Sequence, residues 1–275
     1  MCYNLTLYEY NYGIFDKSID ATYIIYLEGN KKRYKNIKDE LDKIKPTKKV
    51  YILHNKGWKN CKKDKYITNT AKDLVDCNIY IYKDAKKKNY NNILILEDDY
   101  IFNKKIKNKK IINNIDNFLL KNIDTSFSFY LGTIPIIFIP YNLNINRGLL
   151  NIYTHSVIFS KKYREEVLKY DYKTINCWDI FQNKFNLNKY YYNIPLSFQI
   201  VEETENSLNW QVFSILRTIH LNIAYLLNAH NDPKLIFYIW YILSYILLKI
   251  NILIILLILY NLIYMVYIKL YNINN

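Results

Sequence analysis

Residues 92–102, NILILEDDYIF, constrain this chain more than any other stretch. An apolar run, NILIL (92–96), breaks off into three consecutive carboxylates, Glu97, Asp98 and Asp99. An apolar run without alternation is a strand covered on both faces, which calls for helices on either side of a sheet. The upstream sequence supplies the partners. ATYIIYL (21–27) and KKVYILH (48–54) read as strands, and KKRYKNIKDELDKI (31–44) places Tyr34, Ile37, Leu41 and Ile44 at helical spacing. A second helix fits residues 70–89, and further strands fit SFYLG (128–132) and NIYTHSVIFS (151–160), the latter running into the helix KKYREEVLKY. The β-α-β-α-β order predicts an α/β domain with a mostly parallel central sheet.

The abrupt end of the NILIL strand also carries chemistry. In open α/β sheets ligands bind beyond the carboxyl ends of the strands. Three adjacent acids there repel one another, unless a divalent cation or several hydrogen-bond donors sit opposite them. Oxygen ligands of this kind suit Mn²⁺ or Mg²⁺. A metal so held can bridge a nucleotide diphosphate and neutralise the charge of the leaving group. A solvated acidic turn is the plain alternative.

Composition narrows the classes. With 30 Tyr and 12 Phe the chain is far too aromatic for intrinsic disorder. Its formal charge is +14, of which two charges, Lys249 and Lys269, lie beyond residue 234, leaving +12 for residues 1–234. That surplus suits phosphates or an acidic membrane face, but no RNA-binding motif or zinc-finger spacing accompanies it, so nucleic acid is not an expected partner. Cys2, Cys61, Cys77 and Cys177 form no CxxC pair and read as reduced thiols. The N-terminus has neither a basic region nor an unbroken apolar core, so it does not read as a signal peptide.

A sharp change comes near Asn231-Asp232-Pro233. Residues 235–270 are almost wholly apolar, and 250–268 are long enough to span a bilayer as a helix. Residues 235–248 are short for a second span and fit an interfacial segment or half of a hairpin. Trp240, Tyr241, Tyr264 and Tyr267 suit headgroup level. The expected organisation is an N-terminal extension (1–20), one α/β domain (21–211), a connecting amphipathic segment (212–234) and a membrane anchor (235–270), made of one transmembrane helix or a helical hairpin. A C-terminal anchor and reduced cysteines together place the domain on the cytosolic side.

Across residues 21–210 the chain resembles glycosyltransferase family 25 and its relatives in large DNA viruses, a GT-A-fold group. YIIYLEGNKKRYKNI resembles the family's opening strand and basic helix, with Arg33 at the Arg position, and NILILEDD resembles its metal motif. YLG (130–132), THSVIFSKKYREEVL (154–168), CWDIFQNKF (177–185) and IPLSFQIVEETENSLNW resemble later segments in the same order. The Ser-His pair that members often carry before the metal strand is replaced by Asp76-Cys77-Asn78-Ile79-Tyr80-Ile81.

The resemblance implies a GT-A-like domain that moves a sugar, with inversion, from a nucleotide-diphosphate sugar to a hydroxyl of a glycan or protein acceptor. Asp98 and Asp99 would meet the metal (Mn²⁺ or Mg²⁺) and the donor diphosphate, supported by Glu97, with Arg33 pairing a donor phosphate. His155 is a candidate third metal ligand and Asp179 a candidate general base. His54 is a candidate for the same cleft, and Trp178 for stacking on a sugar ring. Plainer readings stand beside these: a helix-terminal acid for Asp179, a surface residue for Arg33, and core residues for His155 and Trp178. Two other functions fit the sequence: a glycosyltransferase-like binding protein without turnover, and a membrane-bound basic scaffold or nucleic-acid adaptor.

Overall fold

In the computed structural model, which describes residues 2–201 and 214–249, the β-α-β-α-β reading is realised within a few residues at each boundary. Strand β1 (Tyr3–Glu9) comes first, followed by β2 (Ala21–Leu27), helix α1 (Lys31–Lys43), β3 (Lys49–Asn55), α2 (Thr70–Lys87) and β4 (Asn92–Glu97). Asn30 and Asn69 cap the two helices, their side-chain oxygens accepting from Arg33 N and Lys72 N. After β4 come the short β5 (Tyr100–Phe102), α3 (Lys109–Lys121), β6 (Ser128–Pro140), β7 (Ile145–Ser160), α4 (Lys161–Lys169), α5 (Trp178–Phe185), β8 (Lys189–Tyr192) and β9 (Ser197–Gln199). Beyond residue 213 lie α6 (Ser214–Leu226) and a helix α7, described over 234–249.

The seven-stranded sheet has the order β1-β3-β2-β4-β7-β6-β8. Strands β2, β3, β4, β6 and β8 run one way, while β1 and β7 run against them. The sheet is therefore mixed, with the predicted parallel core at β3-β2-β4. Alternate residues of these three strands feed two cores. Ile24, Ile52 and Leu94 join α1 and α3 on one face. Tyr23, Leu53 and Ile95 join α2, α4 and α5 on the other. Each buried aliphatic contributes about 1.5–3 kcal/mol, which is why these strands lack polar alternation.

Two expectations change. The N-terminal extension is not an appendage: Tyr3–Glu9 add an antiparallel strand to the outer edge of β3. That pairing places Cys2 beside the loop after β3, where it forms a disulfide with Cys61 across a Cα–Cα distance of 5.7 Å. Reduced thiols are thus the wrong reading for this pair, because 59 residues of sequence separation hid a contact that only strand pairing creates. The cysteine argument for a reducing compartment goes with it; Cys77 and Cys177 are the free thiols. Buried Lys63, in the same loop, pairs with Asp73 and donates to Asn55 Oδ1 (2.6 Å) and Tyr3 Oη (2.8 Å), fixing the loop to β1, β3 and α2.

The apolar C-terminus is described as far as residue 249. No helix among the described residues is long and apolar enough to cross a membrane. Residues 234–249 dock on the domain through Ile236, Phe237 and Tyr241, all buried. The proposed span 250–268 lies outside the described residues.

The covalent tie of β1 is testable. Serine at both Cys2 and Cys61 should remove about 2–4 kcal/mol of stability, read as a lower denaturant midpoint. Dithiothreitol should lower the melting temperature of the native chain and leave that of the variant unchanged; equal effects on both would deny the bridge its role.

Candidate active site

Strands β2 and β4 are neighbours, yet their connections leave in opposite directions, β2 through α1 to β3 and β4 toward β7. Such a switch point opens a crevice at the carboxyl ends of the strands, and Glu97-Asp98-Asp99 stand there. The turn is stitched to α1 by three side chains one helical face apart. Arg33 Nη1 pairs with Asp98 Oδ1 at 3.2 Å and with Asp99 Oδ2 at 2.7 Å. Asn36 Nδ2 donates to the carbonyls of Asp98 (3.1 Å) and Tyr100 (2.9 Å). Glu40 Oε2 accepts from Phe102 N at 2.8 Å.

Further donors close the shell. Leu27 N reaches Asp98 Oδ2 at 3.2 Å, and Gln199 Nε2 reaches Asp99 Oδ2 at 3.0 Å. The β5–β9 pairing, which sets Tyr100 opposite Gln199, brings that amide in. Repulsion among the acids is thus relieved by protein donors. Arg33, expected to pair with a donor phosphate, pairs here with both acids of the turn.

The second half of the site comes from β7 and α5. Tyr153 adopts φ 63°, a left-handed conformation that is strained for a bulky residue and recurs near functional sites. The Thr154 hydroxyl that follows donates to Asp179 Oδ1. Both Glu97 and Asp179 retain partial solvent access although protein packs closely around them. Burial, the charge of Asp179 and then that of Asp98 push the Glu97 carboxyl up to about 8, against the pull of Arg33. Burial raises Asp179 too, while the Thr154 hydroxyl holds it down. Burial thus disfavours two charges at once on this pair.

Other candidates are placed differently. His155 is buried edge-on to Phe237, with ring centroids 5.7 Å apart, and a Cβ on Gly132 would come within 2.3 Å of its Nε2. The glycine of YLG therefore makes room for this imidazole. Burial pulls His155 down to about 3 against the neighbouring Ser197 backbone, so it is neutral. Neither of its ring nitrogens completes a hydrogen bond among the described residues. It does not join Asp98 and Asp99 as a metal ligand: among the described residues no group of three or more His, Cys, Asp or Glu is arranged to hold a metal. Trp178 is a core residue packed on Tyr82, Phe159 and Phe181 rather than a sugar platform. His54 does lie at the carboxyl edge, its Nδ1 4.0 Å from Glu28 Oε1 and its ring edge-on to Tyr26.

The donor set still suits a hard cation in one way. Asp99 Oδ1 is buried and has no hydrogen-bond partner among the described residues, and a Mg²⁺-type ion is commonly held by one or two carboxylates plus substrate phosphates and water. Two distinct cavities lie elsewhere, one lined by residues of α3 and the β6–β7 turn, the other beside α7.

Residues missed in the sequence were Asn36, Glu40, Thr154 and Gln199. The first two carried a signal, since 33, 36 and 40 share one helical face beside the apolar stripe.

No family model matches the chain, and no curated protein matches it. Among solved structures it is similar to a glycosyltransferase involved in the glycosylation of the major capsid of PBCV-1. That similarity has a TM-score of 0.42 and 11% identity, covering 74% of this chain and 98% of the other.

Two outcomes follow from the geometry. The folded state holds the Glu97 proton to about pH 8, whereas the unfolded chain releases it near the ordinary glutamate value. Stability should therefore decline as pH rises between those values. Glu97→Gln should flatten that slope in denaturant titrations; an unchanged slope would place the proton elsewhere. Arg33→Met strands the buried carboxylate of Asp99 and should cost about 3–5 kcal/mol. Arg33→Lys, which keeps the charge but not the fork, should fall between.

Proposed function

We propose that this chain is a glycosyltransferase that moves a sugar from a nucleotide-diphosphate sugar to a hydroxyl of a glycan or protein acceptor. The observation that carries the reading is the pairing of unequal carboxylates at the switch point. Arg33 pairs with Asp98 and Asp99, and beside them stand Glu97 and Asp179, whose carboxyls burial pushes upward. The resemblance of NILILEDD and CWDIFQNKF to family 25 motifs points the same way.

In this reading Asp179 is the general base. The acceptor hydroxyl passes its proton to the Asp179 carboxylate while its oxygen bonds to the anomeric carbon. The bond from that carbon to the diphosphate oxygen breaks on the opposite face, and the nucleoside diphosphate leaves with the electron pair. One displacement inverts the anomeric centre. The Thr154 hydroxyl orients Asp179, and the protonated Glu97 keeps a second negative charge away from the reacting carbon. A Mn²⁺ or Mg²⁺ ion held by Asp98 and Asp99 would offset charge on the departing diphosphate. Since the chain offers two carboxylates and no third ligand among the described residues, such an ion would bind together with the diphosphate. Residues 250–268 are the proposed membrane anchor.

The test is a nucleotide-sugar screen for transfer and hydrolysis by the full chain, with Mn²⁺ and with EDTA. Asp179→Asn should keep affinity for the nucleoside diphosphate and lower turnover by a factor on the order of 100 or more. Asp99→Asn should lose both, and calorimetry should show Mn²⁺ binding only when the nucleoside diphosphate is present. Absence of transfer from every donor, or full turnover by Asp179→Asn, would overturn the assignment.

A further inference from the structure

Helix α7, KLIFYIWYILSYILLK over 234–249, is apolar on two opposite faces. Its inner face is fixed to the domain. Phe237, Tyr241 and Ser244 are buried, and polar bonds pin the helix at separate points. The Ser244 hydroxyl donates to the Pro135 carbonyl, Asn146 Nδ2 donates to Tyr245 Oη at 2.9 Å, and Asn103 Nδ2 donates to Tyr238 Oη at 3.0 Å. The outer face carries Leu235, Ile242, Leu243, Ile246 and Leu247, each 42–60% exposed. Their spacing of i, i+7, i+8, i+11 and i+12 makes one continuous stripe. Apolar residues scattered singly on a surface are ordinary, but a stripe of five is a contact surface. A helix apolar all round belongs in a protein core or in lipid.

We propose that the outer face of α7 lies along an anionic lipid bilayer, its aliphatic side chains seated among the acyl chains at the headgroup boundary. Charge selects this occupant. From residue 233 onward every charged side chain is a lysine, and exposed Lys249 stands at the end of the described helix. Residues 1–234 add a surplus of +12 to the same sign. Lys234 pairs with Asp232 at 3.0 Å, so the cationic end is that of Lys249; a cationic end on an apolar helical face matches anionic headgroups over hydrocarbon. A groove of about 430 Å³ runs beside the stripe, between Pro195 and Tyr241, Ile242, Tyr245 and Lys249. Its lining is mostly aliphatic and aromatic, with Asn193 and Lys249 as the polar members, which suits an acyl chain beside a phosphate. Exposed Ile223, Tyr225 and Leu226 of α6, which shares a core cluster with α7, broaden the apolar surface. The inference extends the anchor proposed above and does not depend on the transfer chemistry.

The test uses the full chain in vesicles of phosphatidylcholine with and without phosphatidylglycerol. Ile242→Cys and Ile246→Cys, each in a Cys177→Ser background, carry an environment-sensitive fluorophore, and Tyr12→Cys serves as a solvent-facing reference. Phosphatidylglycerol vesicles should blue-shift both α7 probes. Bromine-labelled acyl chains should quench them, and aqueous iodide should quench them several-fold less than the Tyr12→Cys probe. Probes that stay iodide-accessible while the chain floats with the vesicles would overturn the proposal and leave the anchor standing. Probes shielded from both quenchers would overturn it in favour of a protein cover, residues 250–275 or a second copy. Failure to float would overturn it together with the anchor. None of these readings involves sugar transfer.

Discussion

The site depends on the contact between one polar face of α1 and the segment that follows β4. Three carboxylates in succession cannot remain ionised side by side without compensation. Here Arg33 spans two of them, Asn36 takes the carbonyls on either side of Asp99, and Glu40 accepts the amide of Phe102. The helix can do this because its neighbouring stripe, Ile37 and Leu41, is sunk in the sheet, which sets its rotation. Packing energy thereby becomes electrostatic placement: apolar burial fixes the angle at which a guanidinium meets two acids.

That placement lets two carboxyl environments differ at short range. Asp98 and Asp99 sit under a full positive charge and several donors. Glu97 is raised by desolvation and by the charge of Asp179. A site able to hold charged and neutral carboxyls together can accept a proton at one place while withstanding a polyanion at another. His155, buried edge-on to Phe237, takes no part in this division despite its position in β7 near the acidic turn.

Much of the α/β framework could be read from residue order because periodicity is local. The runs around Ile24, Ile52 and Leu94 declare strands buried on both faces, and the carboxyl edge of those strands then follows from topology. What escaped was non-local. Nothing in the sequence says that Cys2 meets Cys61, because the meeting needs β1 to pair with β3. Asp179 and Glu97 are far apart in sequence, and only the β7–α5 connection brings them together. Arg33 was found, but its partner was not: a guanidinium suits a phosphate as well as a carboxylate, and only geometry decides between them. Composition also does not reveal that residues 234–249 dock on the domain by one apolar face while staying apolar on the other.

The first strand has one more consequence. β3 carries Val50, Tyr51, Ile52 and Leu53 in an unbroken apolar run, and without β1 it would be the rim of the sheet. An open, flat, apolar rim offers unpaired amides and carbonyls to any other chain and is a template for aggregation. β1 fills that rim and presents Asn4 and Glu9 outward in its place. The bridge from Cys2 lies where this covering strand begins, the point from which an end strand would fray. The disulfide thus holds in place the strand that keeps this apolar run from lying at the rim of the sheet.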